Sequence, residues 1–143
     1  MIADSRRRLE ELLDREIELA HSLAATLAAE KAALTGDSPQ AVEQNAAEKI
    51  RLFGTIEKLE EERRELCSDP LGAGIAASVV QRWRALLELV AGCRTANEVN
   101  GHIIHVRQHQ VRQLIDIVRG GPSITYDPQG KTFAKALRAL ARA

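Results

Sequence analysis

Apolar residues recur along the first part of the chain at alternating steps of three and four, which is the spacing of one α-helix face. The pattern runs from Ala3 to Leu34 and has Lys31 as its one polar member. Its apolar positions are Leu13, Ile17, Ala20, Ala24, Leu27 and Leu34. Charged residues, Glu16 among them, occupy the flanks, and Gly36 suits a helix end. The pattern therefore predicts one long amphipathic helix.

A second heptad pattern begins near Pro39. Ser38 suits the N-cap because its oxygen accepts an orphan backbone N–H, and proline is favoured at the first helical position, where no N–H is needed. The apolar positions are Val42, Ala46, Leu52, Phe53, Ile56, Leu59 and Leu66. Because the loop before this pattern is short, we expect the second helix to pack antiparallel to the first.

A third apolar stripe follows a break in the helical pattern. The break lies between Ser68 and Gly74, where a proline and two glycines interrupt the chain. The stripe then runs to Arg119, which corresponds to roughly 65 Å of helix at ~1.5 Å per residue. Its apolar positions are Val79, Trp83, Leu86, Val90, Cys93, Ile104, Val111, Leu114 and Val118. Such a helix would cover the full length of the first two.

Polar residues and glycines interrupt this third stripe. Asn97, Asn100 and Arg107 fall on it, and polar residues in a seam fix the register of packed helices. On that view, leucine at Asn97 and Asn100 would stabilise the fold while broadening its association states. Gly92 and Gly101 lie inside the helix at a cost of up to ~1 kcal/mol each relative to alanine. They indicate either close helix packing, or a hinge or docking notch for a partner.

The C-terminal part of the chain has a different pattern. Gly120, Gly121 and Pro122 end the third helix, and turn-forming residues around Tyr126 predict a loop. The segment from Thr132 to Ala143 is amphipathic but too short to form a stable isolated helix. Its apolar face consists of Phe133, Ala136, Leu137 and Leu140. This face either docks on the chain's own bundle or completes a groove with a partner's helix.

Together these elements predict an all-α fold, an extended antiparallel, coiled-coil-like bundle of three long helices with a C-terminal loop and a short amphipathic helix. We expect the bundle to occupy residues 1–121, and the loop and segment residues 122–143, of one domain. Only four of 143 residues are aromatic, which disfavours a β-sandwich. No apolar run approaches the ~20 residues of a membrane span, and the N-terminus lacks a secretory signal. We therefore expect a cytoplasmic protein.

Charge is divided along the chain although the formal net charge is zero. Residues 1–67 carry 10 basic and 15 acidic side chains, and residues 68–143 carry 10 basic and 5 acidic ones. We expect the acidic hairpin to attract the basic half. That half lacks aromatic platforms and groove-reading motifs, which disfavours nucleic acid as a partner. Contact of the basic tail with a membrane surface, without stable insertion, is an alternative.

Few residues point to chemistry. One polar stripe on the third helix consists of Glu98, His102, His105 and His109. Histidines at this spacing can chelate zinc, but a solvated face is the more ordinary interpretation because no closing ligand is evident. Cys67 and Cys93 lack zinc-site spacing and are expected to be buried thiols. The sequence has no phosphate loop or nucleophile elbow. It predicts a binding protein, with no enzymatic activity, cofactor or bound metal.

Several motifs share their order and spacing with one known family. The second helix contains Glu48-Lys49 with Leu52, then Leu59-Glu60 ahead of Arg63-Arg64. Trp83 opens the third helix, and Asn97 to Gly101 has the form N-x-x-N-G, the most specific of these motifs. Tyr126 to Gly130 has the form Y-x-x-x-G, with Asp127 at a position often occupied by glycine. Over most of its length, the chain resembles the FlgN-type flagellar export chaperones.

This resemblance implies a cytoplasmic escort for hook-filament junction proteins of the FlgK and FlgL type. It implies that the C-terminal segment holds the C-terminal helices of these proteins through Phe133, Ala136, Leu137 and Leu140. It further implies that Tyr126, with Gly130, docks on the cytoplasmic domain of the flagellar export gate. The resemblance assigns a structural, family-signature role to Trp83, Asn97, Asn100 and Gly101.

A self-associating coiled-coil adaptor without an export role is the alternative. Its intermolecular seam would contain Ile17, Leu27 and Val111. A homodimer is compatible with either interpretation.

Overall fold

A computed structural model describes residues 2–120, which form three long helices. They are α1 (Ala3–Thr35), α2 (Pro39–Leu66) and α3 (Ala77–Val118). Residues 2–120 contain no strand, and the predicted all-α helical bundle is confirmed. The predicted loop and short helix within residues 122–143 lie outside the described residues, so this part of the domain organisation stays a prediction.

The helix starts follow from local sequence chemistry. Ser38 accepts a hydrogen bond from the Ala41 N–H at 3.2 Å, and Pro39 is the first residue of α2, as the sequence predicts. Between α2 and α3, Gly74 has φ +80°, a left-handed conformation that glycine adopts without strain. These two connections reverse the chain twice, so that α1 and α3 run parallel to each other and antiparallel to α2.

Helix α1 is the central element of the bundle. It packs against both α2 and α3, whereas α2 and α3 come close to each other at isolated points only. The α3 residues that face α1 are spaced by seven: Val79, Leu86, Cys93 and Asn100 are all buried. They pack with α1 residues such as Leu13 and Leu27, which are 0% and 1% exposed. The core of the bundle therefore lies along α1.

The buried face of α1 differs from the single seam predicted for it. Ala24 and Lys31 are exposed, while Leu23 and Glu30 are buried. The reason is that α1 contacts two helices, so its buried face contains a second row of residues. That row consists of Leu9, Glu16, Leu23 and Glu30. The prediction that Glu16 lies on a solvated flank was therefore wrong.

The residues proposed for an intermolecular coiled-coil seam are mostly used within the chain. Leu27 belongs to the buried core, and Ile17 packs against the cluster around Leu13. Val111 is partly exposed. A self-associating coiled coil would therefore have to use a different set of residues.

Helix α3 extends beyond the helix on which it packs. The Arg107 guanidinium donates a hydrogen bond to the Gly36 carbonyl at 3.3 Å, which places Arg107 beside the end of α1. The remaining 11 residues to Val118 correspond to about 16 Å of helix. Leu114 and Val118 were predicted as core positions but are 60% and 85% exposed, because α1 ends at Thr35.

The glycines inside α3 do not serve close helix packing. A Cβ atom added at Gly92 or Gly101 would have no neighbouring atom within 4 Å, so that interpretation of the two glycines was wrong. Gly101→Ala is therefore expected to raise the free energy of unfolding by about 0.5–1 kcal/mol through higher helix propensity. Denaturant unfolding measures the change, with Gly54→Ala in α2, which is equally unobstructed, as the reference. A loss of stability in Gly101→Ala alone would contradict this account.

Candidate interaction site and the clusters that position it

A buried ion pair between α1 and α2 and an aromatic side chain of α3 join the three helices near the connection between α2 and α3. Arg63 of α2 donates from Nε to Glu16 Oε2 of α1 at 2.8 Å, and both residues are less than 5% exposed. The Arg63 guanidinium carbon also lies 4.5 Å from the ring centroid of Trp83 on α3. An arginine over an indole face is attracted by the ring quadrupole. We call Glu16, Arg63 and Trp83 the proximal cluster.

Burial dominates the electrostatics of the proximal cluster. Removal from water raises the pKa of the Glu16 carboxyl above its ordinary value of 4.5, although Arg63 acts in the opposite direction. A carboxylate in such a site depends on its one cation, since the surroundings offer no solvent to replace it. The pair therefore makes each partner strongly dependent on the other.

A second cluster joins the three helices closer to the connection between α1 and α2. Lys49 Nζ of α2 lies 2.9 Å from Glu30 Oε2 of α1 and donates to Asn97 Oδ1 of α3 at 3.3 Å. The Asn100 amide donates to Glu30 Oε1 and to the Leu27 carbonyl, both at 2.9 Å. Glu30 and Asn100 are 3% and 1% exposed, whereas Asn97 is exposed. We call Glu30, Lys49, Asn97 and Asn100 the distal cluster.

The two clusters repeat with the same spacing in every helix. Glu16 and Glu30 are 14 residues apart in α1, as are Lys49 and Arg63 in α2, and Trp83 and Asn97 in α3. Fourteen residues are two heptads and correspond to about 21 Å of helix. The bundle is thus cross-linked at two levels, each with a carboxylate from α1 and a cation from α2.

The motifs noticed in the sequence meet in these two clusters. Trp83 contacts Arg63, Asn97 accepts a hydrogen bond from Lys49, and Asn100 is linked to Lys49 through Glu30. Gly101 follows Asn100 on α3 and is exposed. Trp83 and the two asparagines therefore lie at contacts between helices, while their expected family-signature role stays a prediction. Gly101 makes no comparable contact.

Sequence reasoning missed the α1 partners of both clusters. Glu16 and Glu30 occupy the same heptad row as Leu9 and Leu23, which is a signal that these carboxylates face inward. The cations of α2 have the matching spacing of 14 residues. Taken together, these two spacings would have identified the pairs.

Three of the four most exposed large apolar side chains of residues 2–120, Leu114, Ile117 and Val118, lie on the end of α3 that extends past α1. We define the distal stripe as the apolar residues Ile104, Val111, Leu114, Ile115 and Val118, which share one helix face. Leu114 and Val118 are largely exposed, and the other three are partly exposed. The two hydrophobic clusters in the described part of the chain include none of them. This face is a candidate interaction surface.

The six tail residues expected to bind partners lie outside the described residues. They are Tyr126, Gly130, Phe133, Ala136, Leu137 and Leu140. Their assignment to gate docking and cargo binding stays a prediction. The distal stripe directly precedes them in the chain.

The remaining chemical candidates are surface groups or buried thiols. His102, His105 and His109 are exposed on α3, and residues 2–120 hold no group of three or more metal-ligating side chains placed to share an ion. Cys67 and Cys93 are free and buried, and burial raises the pKa of the Cys93 thiol. None of α1, α2 and α3 is long and apolar enough to cross a membrane.

Comparison with known proteins gives one family. A family model described as FlgN protein matches residues 1–133. The match includes Tyr126, Gly130 and Phe133 and ends before Ala136. No curated protein and no solved structure matches the chain significantly.

Proposed function

The chain belongs to the FlgN family of flagellar export chaperones, and we propose that it escorts hook-filament junction proteins of the FlgK and FlgL type in the cytoplasm. It binds their C-terminal helices, prevents their premature assembly and degradation, and delivers them to the export gate. Chaperoning requires binding and release only, which agrees with a family that is not enzymatic. The family match over residues 1–133 is the observation that supports this proposal.

The shape of the bundle is consistent with an escort. The two polar clusters and the hydrophobic core join α1, α2 and α3 within one chain. The distal stripe leaves apolar surface at one end, next to the segment that begins at residue 121. An amphipathic helix from an export substrate recognises apolar side chains at helical spacing. We place cargo binding at Phe133, Ala136, Leu137 and Leu140.

Loss of the tail's apolar face is expected to weaken cargo binding. Phe133→Ser combined with Leu137→Ser removes two large apolar side chains, which should raise the Kd about thirtyfold, or about 2 kcal/mol. Isothermal titration calorimetry with C-terminal segments of the cognate junction proteins measures this change. Ala134→Ser with Ala139→Ser, off the apolar face, is the matched control. Unchanged affinity in the first variant would move the cargo site to the bundle.

Gate docking is proposed to be separate from cargo binding. Tyr126, in the Y-x-x-x-G motif with Gly130, contacts the cytoplasmic domain of the export gate. Tyr126→Ala is expected to leave the Kd for cargo unchanged and to reduce secretion of the junction proteins. Calorimetry and immunoblots of secreted protein measure the two effects. An equal loss of cargo binding would contradict this division of roles.

A further inference from the structure

The distal stripe lacks a covering element among residues 2–120. The seven-residue row of α3 that packs on α1 continues from Asn100 through Arg107 to Leu114, but α1 ends at Thr35. Leu114 is 60% exposed although it occupies the row that is buried at Leu86 and Cys93. The apolar pattern of α3 thus continues for about 16 Å past the end of α1. Over this length the pattern suits a helical neighbour, and residues 2–120 supply none.

The chain beyond residue 120 has the length to supply that neighbour. Gly120 has φ +118°, a conformation that ends α3 and permits a sharp change of direction. The 11 residues 121–131 can span up to about 36 Å, which exceeds the roughly 21 Å between Ile104 and Val118. A helix of the 12 residues 132–143 would be about 18 Å long, close to the length of the stripe.

The charges and the apolar pattern of residues 132–143 also favour this segment as the neighbour that covers the distal stripe. Segment 132–143 carries its large apolar residues on one face and, with Lys131, four basic residues elsewhere. Asp37 in the α1–α2 turn and Glu43 in the first turns of α2 are exposed at the end of the bundle where the stripe begins. A second copy is less favourable, because pairing two stripes would bury few residues for a stable dimer.

We propose that residues 132–143 dock as a helix, antiparallel to α3 in the same chain, with the face containing Phe133 and Leu137 against the distal stripe. A tether of 11 residues makes this contact intramolecular, with an effective concentration on the order of millimolar. On the proposed function, cargo and stripe compete for this face, because one apolar face cannot contact both at once. The free chaperone therefore covers its own cargo-binding surface.

Hydrogen exchange of the full-length chain without cargo tests the docking. The amides of residues 111–118 are expected to exchange about tenfold faster in Phe133→Ser with Leu137→Ser than in the wild type, since the helix end loses its cover. Ala134→Ser with Ala139→Ser should match the wild type. Equal exchange in all three proteins would overturn the proposal. So would protection that increases with protein concentration, which would indicate a second copy on the stripe.

Disulfide trapping gives an independent test. Leu114→Cys with Leu137→Cys is expected to form an intrachain disulfide at least about fivefold faster than Ile117→Cys with Leu137→Cys. Leu114 and Ile117 are similarly exposed, at 60% and 64%, but Ile117 lies off the stripe. Native Cys67 and Cys93 are buried. Equal rates, or covalent dimers, would overturn the proposal. Neither experiment contains cargo, so failure of the cargo titration would leave their outcome unchanged.

Discussion

Glu16→Ala is expected to lower the free energy of unfolding by about 3–5 kcal/mol, the cost of leaving one partner of a buried ion pair without the other. Arg63 is 4% exposed and its Nε donates to Glu16 at 2.8 Å, so solvent cannot replace the lost carboxylate. The neighbouring Glu60 carboxylate is 4.0 Å from the Arg63 guanidinium and offers only partial compensation. Urea or guanidinium unfolding followed by circular dichroism measures the change.

A double variant separates the loss of the pair from a loss of packing. Glu16→Leu with Arg63→Met replaces both charges by apolar side chains and is expected to recover most of the stability lost in Glu16→Ala. Arg8 and Glu62 provide the exposed reference pair between α1 and α2, at 2.9 Å. Arg8→Ala should cost no more than about 1 kcal/mol. If the double variant were as unstable as the single one, the ion pair would not be the cause.

Asn100→Leu is expected to lower the free energy of unfolding by about 2–3 kcal/mol, since it removes two buried hydrogen bonds, one of them to a carboxylate. Asn100 donates to Glu30 and to the Leu27 carbonyl, and all three groups are deep in the α1–α3 interface. Leucine would leave the Leu27 carbonyl without that donor and Glu30 with Lys49 alone. Thermal and denaturant unfolding measure the loss.

Asn97→Leu is the matched control for Asn100→Leu. Asn97 has the same side chain, lies three residues earlier on α3 and is exposed, so its replacement should change stability by no more than about 0.5 kcal/mol. The heptad pattern alone led to the expectation that leucine at both positions would stabilise the fold. The carboxylate of Glu30 reverses that expectation at Asn100, and equal effects of the two substitutions would contradict this explanation.

Local sequence rules were sufficient for the helices themselves. Periodicity and the Ser38-Pro39 pair predicted α1 and the start of α2 to within one residue, because capping and helix patterning depend on near neighbours. The end of α3 was predicted at Arg119 and is observed at Val118, because Gly120 with φ +118° departs from helical backbone geometry. The motif containing Asn97 and Asn100 lies in the part of α3 that joins the distal cluster.

Contacts between residues of different helices could not be predicted from local sequence rules. A glutamate looks the same in sequence on a solvated flank and against a buried arginine, so Glu16 was assigned to the wrong side of α1. The exposure of Leu114 likewise depends on where another helix ends, which no pattern within α3 contains. The residues expected to bind cargo and to dock on the export gate were assigned by resemblance to a family. They lie outside the described residues, and the distal stripe of α3 precedes them in the chain.

The shared spacing of the proximal and distal clusters has a consequence for how the hairpin of α1 and α2 finds its correct alignment. A shift of α2 by one heptad in either direction would place Ile56 opposite Glu16 or Glu30, burying a carboxylate without its cation. A shift by two heptads would retain one ion pair but leave four turns of each helix unpaired. Misaligned hairpins are therefore less stable than the native alignment, so the two ion pairs select the register of α2 along α1.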